Sequence, residues 1–184
     1  MDIEHVVLVD ENDNSLGTME KQQAHIEGVL HRAFSIFLLR QNAGEIEILL
    51  QQRQAHKYHC PNLWTNTACS HPRHLEKIVT AGERRLFEEM QIKCTLRRLG
   101  SFIYRAELGN GLIEHEFDYV LVGSYADDKI NFNQAEVQAV QWISIDKLES
   151  WLKHMPGDFT PWFKLALAKL QQNWDTTLEL CNIV

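Results

Sequence analysis

Cysteine, proline, positive charge and long apolar runs are all scarce in this sequence, and each scarcity excludes something. The four cysteines, Cys60, Cys69, Cys94 and Cys181, include no CxxC pair, which fits a reducing compartment. Four prolines and nine glycines form no linker, and no low-complexity segment or repeat divides the chain. The longest apolar runs, around 36–39 and 120–122, are far too short to cross a bilayer, so no membrane insertion is expected. Eighteen Lys and Arg against 25 Asp and Glu leave a net charge of -7, which argues against general attraction to a nucleic-acid backbone. Any anion site must therefore be a local cluster of cations. The opening MDIEHVVLVDEN lacks the basic and apolar regions of a signal peptide, so the expected location is cytoplasmic.

What is present suits one folded domain over 1–184. A hydrophobic content of 45% in 184 residues is enough for a core and too much for disorder. β-Branched runs at 4–10, 33–39, 46–52, 103–106, 114–122 and 139–143 predict strands, with turn signals at 42–44 and 109–111. Apolar spacing predicts helices over 75–91, from the cap 144–146 to about 152, and from Pro161, with Thr160 as N-cap, to about Trp174. The tail 175–184 carries no assignable motif.

Chemistry concentrates in a few segments. Glu114, Glu116 and Asp118 alternate along a strand and so share one face. By spacing alone they read as a solvent-facing acidic strand. His25 and His31, in a polar loop before the first core strand, and His71 add three imidazoles; with two carboxylates they would suit zinc, manganese or iron. His5 and His154 read as ordinary surface or satisfied histidines. Near the helix C-terminus Glu88 and Glu89 sit at the negative end of the dipole, which favours a nearby cation, although a solvated charge run has the same appearance. Arg85 and Glu89, four apart, share a face that could present Mg²⁺ and an anion-binding guanidinium together. Cys69 lies in the polar segment WTNTACSHP, and its thiolate is favoured if Arg53, Lys57 or Arg85 approaches or if a metal sits at His71. Cys60 lacks that support, and Cys94 and Cys181 read as small buried hydrophobes.

Taken together, HRAFSIFLL (31–39), LLQQR (49–53), WTNTACSHP (64–72), RRLFEE (84–89), EHEFDY (114–119) and TPWF (160–163) resemble type I isopentenyl diphosphate isomerase, over about 5–174. TNTACSHP and EHEFDY are specific in combination, whereas RRLFEE is a degenerate Nudix box shared with many hydrolases. The resemblance implies an α/β (α+β) fold, a Nudix-like mixed β-sheet between helices, and an enzyme of isoprene biosynthesis that interconverts isopentenyl and dimethylallyl diphosphate. It implies Cys69 on one side of the alkene and Glu116 with Tyr104 on the other as the catalytic groups. His25, His31, His71, Glu114 and Glu116 would hold a first divalent metal, Zn²⁺ or Mn²⁺. Glu89 with the backbone carbonyl of Cys69 would hold Mg²⁺. Lys21, Arg53, Lys57 and Arg85 would clamp the diphosphate, and Trp162 would face the developing cation. The partner is a small isoprenoid diphosphate; no oligomeric state follows. Two positions depart from the Nudix box. Gln91 stands in place of glycine, which puts the usual helix-ending turn in question, and Arg85 replaces a metal-binding glutamate. The alternative reading is a Nudix-type pyrophosphohydrolase. A metal-stabilised binding domain, the third reading, leaves Cys69, Glu116 and Trp162 without a purpose.

Overall fold

The aliphatic and aromatic run at 33–39 becomes the centre of the sheet. In the computed structural model, which describes residues 4–183, this run lies in β3 (His31–Asn42). Along one edge β3 pairs in parallel with β8 (Leu112–Ser124), from His31 opposite Glu116 to Leu39 opposite Ser124. Its other pairings are antiparallel: β1 (His5–Val9) at His31, β6 (Ala68–Ser70) at 34–36 and β4 (Glu45–Arg53) at 39–42. β2 (Ser15–Glu20) extends β1, while β5 (Trp64–Thr65) and β9 (Val137–Ser144) pair with β4, and β7 (Arg97–Gly109) forms a long hairpin with β8. The result is a mixed sheet of nine strands among the described residues.

Helices cover both faces, as a sheet buried on two sides requires. On one face α2 (Ile78–Met90) seals Phe34, Ile36, Leu38, Leu49 and Leu121 with Ala81, Leu86 and Met90. Burying Leu86 or Met90 contributes about 1.5–3 kcal/mol each relative to exposure. Close approach is enforced at Gly82, where an added Cβ would lie 2.5 Å from Leu121 Cδ1. On the other face α3 (Ile145–His154), α4 (Phe163–Gln172) and α5 (Trp174–Leu180) pack over Phe37, Leu39, Val120 and Val122. No helix among the described residues is long and apolar enough to cross a membrane.

Several expectations are corrected. His25 does not lie in a loop: it sits on α1 (Lys21–Glu27), and His31 opens β3 itself. The polar segment WTNTACSHP, read as no alternating apolar strand, contributes the short strands β5 and β6. α2 starts at Ile78, three residues later than expected. Thr160 does not cap α4; its hydroxyl is 2.9 Å from that of Thr65, and the helix starts at Phe163. That helix breaks at Asn173, and part of the unassigned tail forms α5. The turn after α2 is kept without glycine: Gln91 adopts φ +53° and its N–H bonds the Phe87 carbonyl at 2.9 Å.

Candidate active site

The face of the sheet that carries Phe37, Leu39, Val120 and Val122 changes character halfway along. Period-two alternation places His31, Ala33 and Ser35 of β3 and Glu114, Glu116 and Asp118 of β8 on that same face, beyond the apolar half. The three carboxylates share a face as expected, but it is not a solvent face: Glu114, Glu116 and Asp118 are 2%, 7% and 1% exposed. Buried carboxylates demand partners.

Imidazoles supply part of the answer. His25 Nδ1 donates to the Lys21 carbonyl at 2.5 Å and His31 Nδ1 to the Val29 carbonyl at 2.8 Å, which leaves the Nε2 lone pair of each ring facing inward. His25 Nε2 meets Glu114 Oε2 at 3.2 Å, and His31 Nε2 lies 3.7 Å from Glu116 Oε1. His25 Nε2, His31 Nε2 and Glu114 Oε2 are buried without a hydrogen-bond partner among the described residues. One atom each from His25, His31, His71, Glu114 and Glu116 lies within 4.8 Å of all the others. Lone pairs aimed at one point, with carboxylates beside them, fit a divalent cation.

Glu116 divides its two oxygens. Oε1 faces His71 Nε2 at 3.0 Å on the cage side, while Oε2 accepts from the Tyr104 hydroxyl at 2.6 Å. Burial pushes the Glu116 carboxyl up, yet the neighbouring His31 and His71 outweigh it and hold the group well below the usual carboxylate range. His71 is itself driven down to about 3 by burial, so it bonds as a neutral ring. Burial and Glu116 raise the Tyr104 hydroxyl well above its ordinary value, so the phenol keeps its proton. Asp118, accepting from Ser35 Oγ at 2.8 Å, is pushed well above the carboxylate range by burial and Glu116.

Cys69 lies across β3 from Glu116. β6 and β8 occupy opposite edges of β3, with Cys69 beside Ser35 and Glu116 beside His31, and Ala33 between them leaves space in a pocket lined by all three. Arg53 Nη1 does approach Cys69 Sγ, at 3.7 Å, but burial outweighs it and pushes the thiol up to about 12. Arg53 alone does not favour the thiolate: burial costs the charged form more than one guanidinium returns, so the thiol form is favoured in the unliganded protein.

Four cations line the same pocket: Lys21, Arg53, Lys57 and Arg85. Lys21 pairs with Glu4 at 3.0 Å, Lys57 with Glu136, and Arg85 with Glu88 at 3.0 Å and Glu89 at 2.5 Å. Glu89 is 2% exposed and also accepts from Gln51 Nε2 at 3.0 Å. Trp162, 3% exposed, closes the pocket, with its ring 6.5 Å from that of Tyr104 and its Nε1 donating to Asn66 Oδ1 at 3.3 Å. The candidate site residues thus either line this pocket or, as His25, His31, Glu89 and Tyr104 do, contact a residue that lines it. Cys60, Cys94 and Cys181 are outside it; Cys181 is buried in the core and Cys94 packs at its edge. Four neighbours were not anticipated: Tyr58 and His59 on the pocket wall, Glu136 beside Lys57, and Gln51 behind Glu89. With nine histidines in the chain, only the position of His59 six residues after Arg53, in the loop that follows β4, could have marked it.

Residues 29–163 match the NUDIX domain family. Among curated relatives, the isopentenyl-diphosphate Delta-isomerase of Photobacterium profundum is 49% identical over 166 residues, covering 89% of this chain and 92% of its own length. That of Pectobacterium atrosepticum is 43% identical over 174 residues, covering 95% of both. Among solved structures, a Deinococcus radiodurans protein superposes with a TM-score of 0.62 at 21% identity, over 82% of this chain and 90% of its own. The NUDIX domain of Shewanella oneidensis NrtR, complexed with ADP ribose, gives 0.60 at 13% identity, over 79% and 87%. At such identities these structures establish the fold, while the curated relatives narrow the family. The chain belongs to the Nudix family and, within it, to the isopentenyl-diphosphate Delta-isomerases.

Proposed function

We propose that this chain interconverts isopentenyl and dimethylallyl diphosphate, with Glu116 and Tyr104 exchanging a proton at the terminal alkene carbon and Cys69 at the carbon next to the diphosphate-bearing one. The observation that carries this reading is the pair of proton-exchanging groups on opposite edges of β3, over Ala33, in a pocket of cations. Protonating an unactivated double bond creates a tertiary cation, so the site needs a positioned acid, little water and a stabiliser for the cation. Tyr104 and Glu116 are buried and share one short hydrogen bond, which suits proton delivery to one side. Trp162 offers its π-face to the cation. Transfer of the neighbouring proton to Cys69 in its thiolate form completes a redox-neutral exchange, after which proton exchange with solvent resets both groups.

Lys21, Arg53, Lys57 and Arg85 supply the charge that anchors the diphosphate. His25, His31, His71, Glu114 and Glu116 would hold the first metal, Zn²⁺ or Mn²⁺, and Glu89 with the Cys69 carbonyl would hold Mg²⁺ against the diphosphate. When bound, these ions supply charge that fixes and acidifies the Glu116 carboxyl and neutralises the diphosphate.

The hydrolase alternative is disfavoured by the same helix. Hydrolysis requires several helix glutamates gathering metals, and here RRLFEE supplies two, Glu88 and Glu89, with Arg85 standing where a further metal-binding glutamate would be. Incubation with isopentenyl diphosphate, followed by proton NMR, is expected to yield dimethylallyl diphosphate without ATP, nicotinamide or flavin. Release of phosphate or pyrophosphate with no allylic product would overturn the assignment. Glu89→Gln is expected to raise the Mg²⁺ concentration needed for half-maximal turnover by about tenfold or more while leaving the first metal bound. An unchanged Mg²⁺ requirement would sink the division of labour between the two metals.

A further inference from the structure

Arg53 is an unusual cation. It is 4% exposed, yet no carboxylate lies within ion-pair distance of it among the described residues. Its donors are satisfied by uncharged groups instead: Nε donates to the Cys60 carbonyl at 3.1 Å, and Nη2 to the His59 carbonyl at 3.2 Å and to His59 Nε2 at 3.1 Å. Nη1 reaches Cys69 Sγ at 3.7 Å, and the guanidinium lies 5.5 Å from the Trp162 ring centroid. A carboxylate in the place of His59 would neutralise the arginine before substrate arrived. An imidazole that accepts through its lone pair fixes the guanidinium and leaves its charge unspent.

The ring is itself held. Tyr58 packs edge-on against it at 4.3 Å and the Trp162 ring lies at 6.4 Å; Glu114 Oε1, on the wall of the histidine cage, is 3.3 Å from Nε2 but gains no hydrogen bond from a nitrogen whose lone pair accepts from Arg53. Its side chain is 9% exposed. His59 thus stands between the cage and the anion clamp, touching one residue of each.

We propose that His59 is a positioning residue that holds Arg53 aimed at the diphosphate and at Cys69, with its own ring held by packing against Tyr58 and Trp162. The proposal rests on the isomerase reading for the identity of the substrate, but its test reads the clamp without the reaction. Inorganic pyrophosphate is titrated calorimetrically, with Mg²⁺ present, into the parent, His59→Ala, His59→Gln, Arg53→Gln and the double variant His59→Ala/Arg53→Gln. His59→Ala is expected to weaken pyrophosphate binding about tenfold, the effect of losing one hydrogen bond to a charged group. His59→Gln, whose amide oxygen still accepts from Nη2, is expected to recover binding to within about threefold of the parent. Once Arg53 is replaced, removing His59 is expected to cost nothing further, because the two act as one unit. Tightly bound metal, measured by elemental analysis, is expected to stay at the parental level throughout. Parental binding by His59→Ala, losses that multiply in the double variant, or losses that follow metal content would each overturn the proposal. Failure of the parent to isomerise isopentenyl diphosphate would instead overturn the functional reading and leave the pyrophosphate result standing.

Discussion

Cys69→Ala is expected to lower turnover by about 10³-fold while the fold and the tightly bound metal persist, since positioned proton transfer contributes roughly 10²–10⁴-fold. The segment stays in place because β6 is tied to β3 through its backbone, at Phe34, Ser35 and Ile36. Only the 3.7 Å contact from Arg53 is lost with the sulfur. Diphosphate affinity is therefore expected to remain within about tenfold of the parent. A second measurement tests the state of the thiol in the unliganded protein. Burial raises it to about 12, so the thiolate fraction is still climbing at pH 9, and iodoacetamide alkylation of Cys69 is expected to rise about tenfold per pH unit without levelling off. Near-parental turnover in the alanine variant would remove the thiol from the mechanism. A plateau in alkylation below pH 9 would show that Arg53 dominates burial after all.

The second large effect concerns the cage. Replacing His71 or Glu114 by alanine is expected to weaken the tightly bound metal by at least about a hundredfold, because even residues behind the ligands are worth roughly 10–100-fold. Activity should fall with metal content, and readdition of metal in excess should restore part of it. Glu116→Gln is expected to lose both properties at once, since one oxygen faces the cage and the other accepts from Tyr104. Elemental analysis beside NMR turnover separates the cases. Full occupancy in both alanine variants would reject the five-ligand set.

Much of this site was legible because strands report their faces. Alternation at 114, 116 and 118 placed three carboxylates together, and the i, i+4 spacing of Arg85 and Glu89 placed both on one face of α2, where the structure shows them paired. The central strands and α2 were legible for the same reason. Other features were not. β2 is exposed nearly throughout and lacks alternation, so nothing in SLGTME distinguished it from a loop, and α1, at seven residues, carries too little periodicity to mark His25 as helical. Whether the acidic face was dry or wet also lay outside local pattern, because the groups around it, His25 on α1, Tyr58 and His59 in the 54–63 loop and Trp162, come from distant sequence. The protonation state of Cys69 failed for a related reason: adjacency to cations could be anticipated, but the extent of burial that outweighs them depends on the closed pocket.

β8 is paired along both edges around Glu116, with His31 opposite on β3 and Tyr104 opposite on β7. The two partners of one carboxyl are therefore inherited on separate strands. A substitution at 104 alters the proton partner while the cage keeps its register. A one-residue slip of β3 would instead turn His31, Ala33 and Ser35 off the face together. Descent can thus retune the acidity of this site in single steps, whereas its metal cage must be kept or lost as a block.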